Sequence, residues 1–157
     1  MQNNLSKKLI TDFKKSFKKL KLDRVENVYV TSNLTSIANL RIPKEDKLSI
    51  ILNSLKSIMG KKYTIFSPSA SMNLCNTKFV FDLKKTPSYQ MGPLAEFIRT
   101  QKKSTRSLHP FWSISALGKN SKILNHVSNH AYAYGSPWSK MLDLDTTQLS
   151  YLKKYSN

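Results

Sequence analysis

The densest group of reactive side chains lies in the thirteen residues Arg106-Ser-Leu-His-Pro-Phe-Trp-Ser-Ile-Ser-Ala-Leu-Gly118. It sets a guanidinium, an imidazole and the hydroxyls of Ser107, Ser113 and Ser115 at the mouth of an apolar, alternating segment. A core strand has no use for so many donors at its entrance, whereas a loop that handles an anion or a carbonyl does. Pro110 holds His109 extended and stiffens the turn. The serine hydroxyls donate to phosphate or carbonyl oxygen, and the planar fork of Arg106 suits an oxyanion. A neutral imidazole at His109 has the chemistry of a general base, taking a proton from an attacking amine. It equally suits a residue that orients its own loop.

Three other groups have reactive chemistry. Thr31-Ser-Asn-Leu34 follows an apolar run, and in α/β sheets ligands bind outside the carboxyl ends of strands. The same residues also read as an ordinary polar loop. Tyr89, Asp82 and Glu96 are placed to line a substrate cleft, with a loop carboxylate and a helix-surface charge as the plainer roles. His126 and His130 stand four apart, a spacing that holds zinc on one helical face. With no cysteine or carboxylate ligand beside them they read as surface histidines, and no metal is expected.

The Arg106–Gly118 stretch resembles a signature of the aminoglycoside 3-N-acetyltransferase family. Thr86-Pro-Ser-Tyr-Gln-Met-Gly-Pro-Leu-Ala-Glu-Phe-Ile98, Tyr134-Gly-Ser-Pro-Trp-Ser-Lys-Met-Leu142 and Val28-Tyr-Val-Thr-Ser-Asn-Leu34 are similar to three further family blocks, in the family's order. Thr31 stands where the family usually has His, and Asn33 where it has a second Ser. The resemblance implies an acetyl-CoA-dependent N-acetyltransferase acting on an amino sugar or aminoglycoside. It implies cofactor contacts from the loop Thr31, Ser32, Asn33 and Leu34, through backbone N–H groups and Ser32. Arg106, Ser107, His109 and Ser113 join them as expected cofactor contacts on their chemistry, and Tyr89, Asp82 and Glu96 are expected substrate contacts from position alone. It assigns the catalytic base to a His–Glu pair beyond the Ser-Pro block rather than to His109. Residues after Leu142 contain no histidine and no glycine. The catalytic residue is therefore unassigned, and a single acetyltransferase-like domain over 1–157, without the family's C-terminal catalytic portion, is expected. A truncated enzyme, half of a split enzyme and a shortened homologue all fit that reading.

The elements that must hold these groups alternate. Leu5, Leu9, Phe13, Phe17 and Leu20 recur at steps of four and three and predict an amphipathic helix over 5–20, with lysines on its other face. Val28–Thr31 reads as a strand, 46–59 as a helix stopped by Gly60, and Tyr63–Phe66 as a second strand. Residues 67–90 read as irregular around an apolar run, Phe79-Val-Phe81. Gly92-Pro93 opens a helix over 94–101, Trp112–Leu117 is a strand, a helix runs from Asn120 or Ser121 through Val127, and Ser136-Pro137 starts another over 138–142. The expected fold is α/β, a layered α/β/α sandwich around a central mixed sheet, incomplete at its C-terminal side with an edge open to another chain.

The 157 residues suit one domain, and 39% hydrophobic residues suit a packed core. A single cysteine, Cys75, excludes an internal disulfide. The absence of an apolar leader or spanning segment points to a cytoplasmic protein. Lys plus Arg is 26 against 9 acids, a formal charge of +17. With 22 lysines and only 4 arginines, base readout is disfavoured and nucleic acid is not the expected partner. The charge is either a solvated basic surface or an attractor of anionic ligands. It is a poor match for a polycationic antibiotic, so an anionic or neutral amino-sugar acceptor is expected. The partners foreseen are that acceptor and either a complementing chain or a second copy. The competing reading is a non-catalytic basic module on a degenerate acetyltransferase fold that binds polyanions through helix 5–20.

Overall fold

The structure, a computed structural model, describes residues 2–152. Helix α1 (Gln2–Lys19) buries Leu9, Phe13 and Phe17 at helical spacing, with the two phenyl rings 5.6 Å apart. Lys18 and Lys19 close its last turn, where cations offset the helix dipole. A left-handed Lys21 ends it, and Leu20 is exposed rather than on the buried face. Short α2 (Thr35–Ala38) precedes α3 (Lys44–Met59), which has Glu45 and Asp46 in its first turn, Lys56 in its last, and Gly60 at φ +78° as its stop. Helices α4 (Pro93–Arg99) and α5 (Pro137–Asp143) each begin on a proline, and the Ser136 hydroxyl caps α5 by accepting from Ser139 N.

Five strands form one mixed sheet, β1 (Asn27–Asn33), β2 (Thr64–Pro68), β3 (Thr105–Arg106), β4 (Ile114–Gly118) and β5 (Thr147–Leu152), in the order β3-β4-β2-β1-β5. β1 is parallel to β2 and β5, whereas β4 runs antiparallel to β2 and β3. Side chains of alternating parity enter two separate clusters. Val28, Val30, Ile65, Leu117 and Leu149 join α1, α3 and α4. Phe66, Ile114 and Ala116, with Tyr29 beside them, join Leu124 and α5. The chain is therefore α/β around a mixed sheet, as expected.

Two expectations change, and two segments without an assigned element take their places. Residues 121–125 form a short 3-10 turn instead of a helix through Val127, because the Asn120 side-chain Nδ2 donates to Asn27 Oδ1 across the fold and no side chain caps the turn. Strand β4 starts at Ile114, leaving Trp112 in the loop before it. Of Phe79-Val-Phe81, Phe79 and Val80 are exposed and only Phe81 is half-buried. The segment after α5, to which the sequence reading assigns no element, supplies β5 and extends the parallel side of the sheet.

Candidate functional site

At the carboxyl end of β1 a cleft of about 650 Å³ opens between the β1–α2 connection, the start of α3 and residues 90–93. Its walls include Ser32, Asn33, Leu34, Ile37 and Leu48 on one side and Met91, Gly92 and Pro93 on the other. The Asn33 carboxamide oxygen accepts from Thr35 N at 3.0 Å and from the Thr35 hydroxyl, and so shapes the turn into α2. Gly92, at φ +87°, lets the second wall approach the first, and a side chain there would meet Ser32 O at 3.5 Å. Two cations complete the lining, Lys44 and Lys47. Lys47 is buried, with its Nζ donating to Ala38 O at 2.6 Å. No spacing rule marks this lysine, since in sequence it reads as a solvated residue on a helix.

The expected 31–34 quartet divides here. Ser32, Asn33 and Leu34 line the cleft. Thr31 faces away, its hydroxyl 3.1 Å from that of Ser150 on β5.

The second expected group lies elsewhere and is used internally. Arg106 is 7% exposed. Its Nε donates to Ser113 Oγ at 3.0 Å, one Nη to Thr86 O, and the other to Ser69 O and to Ser71 Oγ at 2.8 Å. The Phe81 ring lies 4.7 Å from the guanidinium carbon. Burial, and secondarily the charge of Arg99, pushes the Arg106 pKa down to about 10. A guanidinium held this way acts as a cross-brace between three chain segments. Ser107 and Ser113 also bond within the protein. Ser107 Oγ accepts from Ile114 N at 3.0 Å, and Ser113 Oγ donates to Ser69 O at 2.7 Å. Ser115 Oγ donates to Ser69 Oγ at 3.0 Å, extending the buried hydroxyl network. His109 accepts from Trp112 N at its Nδ1, 3.2 Å away, and thereby orients its own loop. None of these side chains lines the cleft.

Glu96 and Tyr89 connect the two regions. Glu96 accepts from Arg99 at 2.6 and 2.8 Å and from Ser88 N and Oγ at 3.0 and 2.7 Å. Burial raises its pKa, but the Arg99 and Ser88 donors outweigh that and hold it at about 2. Tyr89 N donates to Ala70 O at 2.8 Å, while its ring is exposed. Residues 86–89 are thus fixed in succession: Thr86 O by Arg106, Pro87 O by Ser71 Oγ, Ser88 by Glu96, and Tyr89 N by Ala70. The next residues, 90–93, form the cleft wall. The buried arginine network therefore positions the cleft without entering it. Asp82 closes an exposed turn by accepting from Lys84 N and Lys85 N, which lowers its pKa.

A chain of tilted aromatic contacts on the opposite sheet face went unforeseen: Trp112–Tyr132 at 5.7 Å, Tyr132–Trp138 at 6.0 Å and Trp138–Tyr29 at 5.0 Å. Burial, reinforced by Tyr132, pushes the Tyr29 phenol up to about 12. Its members come from four separate segments, so no local pattern reveals it. Among the described residues no group of three or more metal-ligating side chains converges.

The sequence model of the family described as aminoglycoside 3-N-acetyltransferase matches residues 30–150. No curated protein sequence matches the chain. Among solved structures, the chain is similar to AAC-VIa bound to sisomicin (20% identity, TM-score 0.72, covering 90% of this chain and 58% of that one). It is also similar to the YokD protein from Bacillus subtilis (23%, 0.71, 87% and 63%). A third is AAC-IIIb in a binary complex with CoASH (21%, 0.71, 85% and 55%). At these identities the likeness establishes the fold. The chain spans about 55–63% of the length of these three structures.

Proposed function

The chain belongs to the aminoglycoside 3-N-acetyltransferase family, and from that premise we propose that it binds acetyl-CoA in the cleft at the end of β1. It would thereby supply the donor side of acetyl transfer to the amino group of an amino sugar. The observation that carries this reading is the cleft itself: about 650 Å³, at the carboxyl end of a parallel strand, with apolar walls and two lysines. Apolar surface of that extent suits a pantetheine arm, and the lysines suit its phosphates. A structural relative, AAC-IIIb, binds CoASH. In the reaction the acceptor nitrogen attacks the thioester carbonyl carbon, a C–N bond forms, and the C–S bond breaks. The thiolate leaves, and the ammonium proton passes to a base. Backbone N–H groups beside the cleft are suited to hold the oxyanion of the tetrahedral intermediate.

Within this scheme Ser32, Asn33 and Leu34 shape the donor pocket, and Arg106, Ser107, Ser113 and Glu96 position its walls. His109, His126 and His130 lie outside the cleft lining, so no base is assigned among them. Calorimetric titration of the purified chain with acetyl-CoA tests the reading. Saturable one-site binding is expected, and a folded chain that binds no acetyl-CoA overturns it.

A further inference from the structure

Lys47 is the one lysine among the described residues that the fold buries, and its only hydrogen-bond partner is a carbonyl oxygen, Ala38 O, at 2.6 Å. An ammonium carries three donors, so beside its bond to Ala38 O it can also donate to a ligand in the cleft it lines. No carboxylate oxygen lies within 4.0 Å of its Nζ among the described residues, where the ion pairs are Lys62–Glu26, Arg99–Glu96 and Lys140–Asp143. A cation that lines a cleft and has no anionic partner of its own is available to an anionic ligand there. Lys44 precedes it by three residues on α3, so both occupy one helical face and both line the cleft. Their opposite wall is glycine and proline, Gly92 and Pro93, which brings no competing charge.

We propose that Lys44 and Lys47 form a two-cation subsite for a diphosphate, with Lys47 the buried specificity-determining member and Lys44 its exposed companion. The proposal rests on the donor-binding reading and deepens it. It locates the diphosphate of the acyl donor at the start of α3, and so directs the pantetheine arm along the apolar walls. Ala38 O holds the Lys47 ammonium in place, so little ordering is needed when the ligand arrives.

The test is titration of the full chain with acetyl-CoA, 3'-dephospho-acetyl-CoA, acetylpantetheine and inorganic diphosphate, for the unsubstituted protein, Lys47→Met and Lys44→Met. Methionine preserves most of the buried volume, and the exposed Lys44→Met variant keeps the test available should Lys47→Met fold poorly. Lys47→Met is expected to weaken both coenzyme A ligands by roughly tenfold or more and to leave acetylpantetheine unchanged, since only the charged hydrogen bond is lost. Lys44→Met shows the same pattern to a smaller degree. Unchanged acetyl-CoA affinity in Lys47→Met and Lys44→Met, or an equal loss toward acetylpantetheine, overturns the subsite while leaving donor binding intact. If the unsubstituted chain binds no acetyl-CoA, donor binding falls and the diphosphate arm decides. Saturable diphosphate binding weakened by Lys47→Met preserves the anion site, and its absence ends it.

Discussion

At the scale of single residues, chemical type and structural use diverge most sharply at Arg106. Its fork donates to four oxygens from three chain segments, and those segments carry the wall of the cleft. Replacing it with lysine keeps the charge but leaves buried oxygens without donors. Arg106→Lys is therefore expected to cost about 2–4 kcal/mol of stability, read as a shift in denaturant midpoint at unchanged slope. A stable Arg106→Lys protein that had lost acetyl-CoA affinity would return the arginine to direct ligand contact. Glu96 gives a pH test of the same scaffold. Its folded pKa, about 2, lies below the ordinary value of 4.5. The stabilisation is thus complete above about pH 4.5 and is lost as pH falls toward 2. The carboxylate is about one-third exposed, so the effect is discounted to roughly 1–2 kcal/mol. Acid unfolding compared between the unsubstituted protein and Glu96→Gln should show that part of the pH dependence vanish in the variant. An identical acid profile in both would remove Glu96 from the scaffold.

At the scale of elements, the β2–β4 pairing depends on one backbone position. Gly118 ends β4 at φ +121°, and a Cβ there would stand 2.1 Å from Tyr63 O, the acceptor of the Lys119 N–H. Gly118→Ala must break that bond or push the end of β4 away from β2, and a loss of about 3 kcal/mol or more is expected in thermal or denaturant unfolding. A neutral effect would mean the strand end yields freely. Helices α1 and α3 were legible in the sequence from their one-sided apolar spacing, and α4 and α5 from their proline starts, whereas four-residue α2 is too short to carry a period. Leu9, Phe13 and Phe17 announce α1, and Glu45, Asp46 and Gly60 bracket α3. Strand β5 was not, because it is an edge strand with Leu149 as its buried anchor, and its partner β1 lies over a hundred residues earlier. Two-residue β3 is too short to carry a pattern at all. The site was half legible for a similar reason. Ser32, Asn33 and Leu34 follow a readable strand, whereas Lys47 joins the cleft lining through a tertiary contact, its bond to Ala38 O, that no local pattern announces.

At the scale of the whole molecule, the formal charge of +17 acts on every ligand before any contact forms. Ion pairing removes little of it, since three salt bridges form among the described residues and two of those are largely solvated. An anionic donor approaching the cleft should therefore be drawn in, with Lys44 and Lys47 at the end of its path. The association rate for acetyl-CoA is expected to fall several-fold as ionic strength rises from about 0.01 M to about 0.15 M, because the Debye length shrinks from about 30 Å to about 8 Å. A polycationic aminoglycoside meets the same field with opposite sign. Its association should speed up over that range, and its binding should be weakest at low salt. Stopped-flow traces for both ligands across a salt series measure the two slopes directly. Opposite slopes make the basic surface a selector that favours the donor over a cationic acceptor. Flat slopes would mean that the lysines are solvated bystanders. A negative slope for the aminoglycoside would reveal an acidic recess strong enough to override the net charge, and would favour a cationic antibiotic over a neutral amino sugar as acceptor.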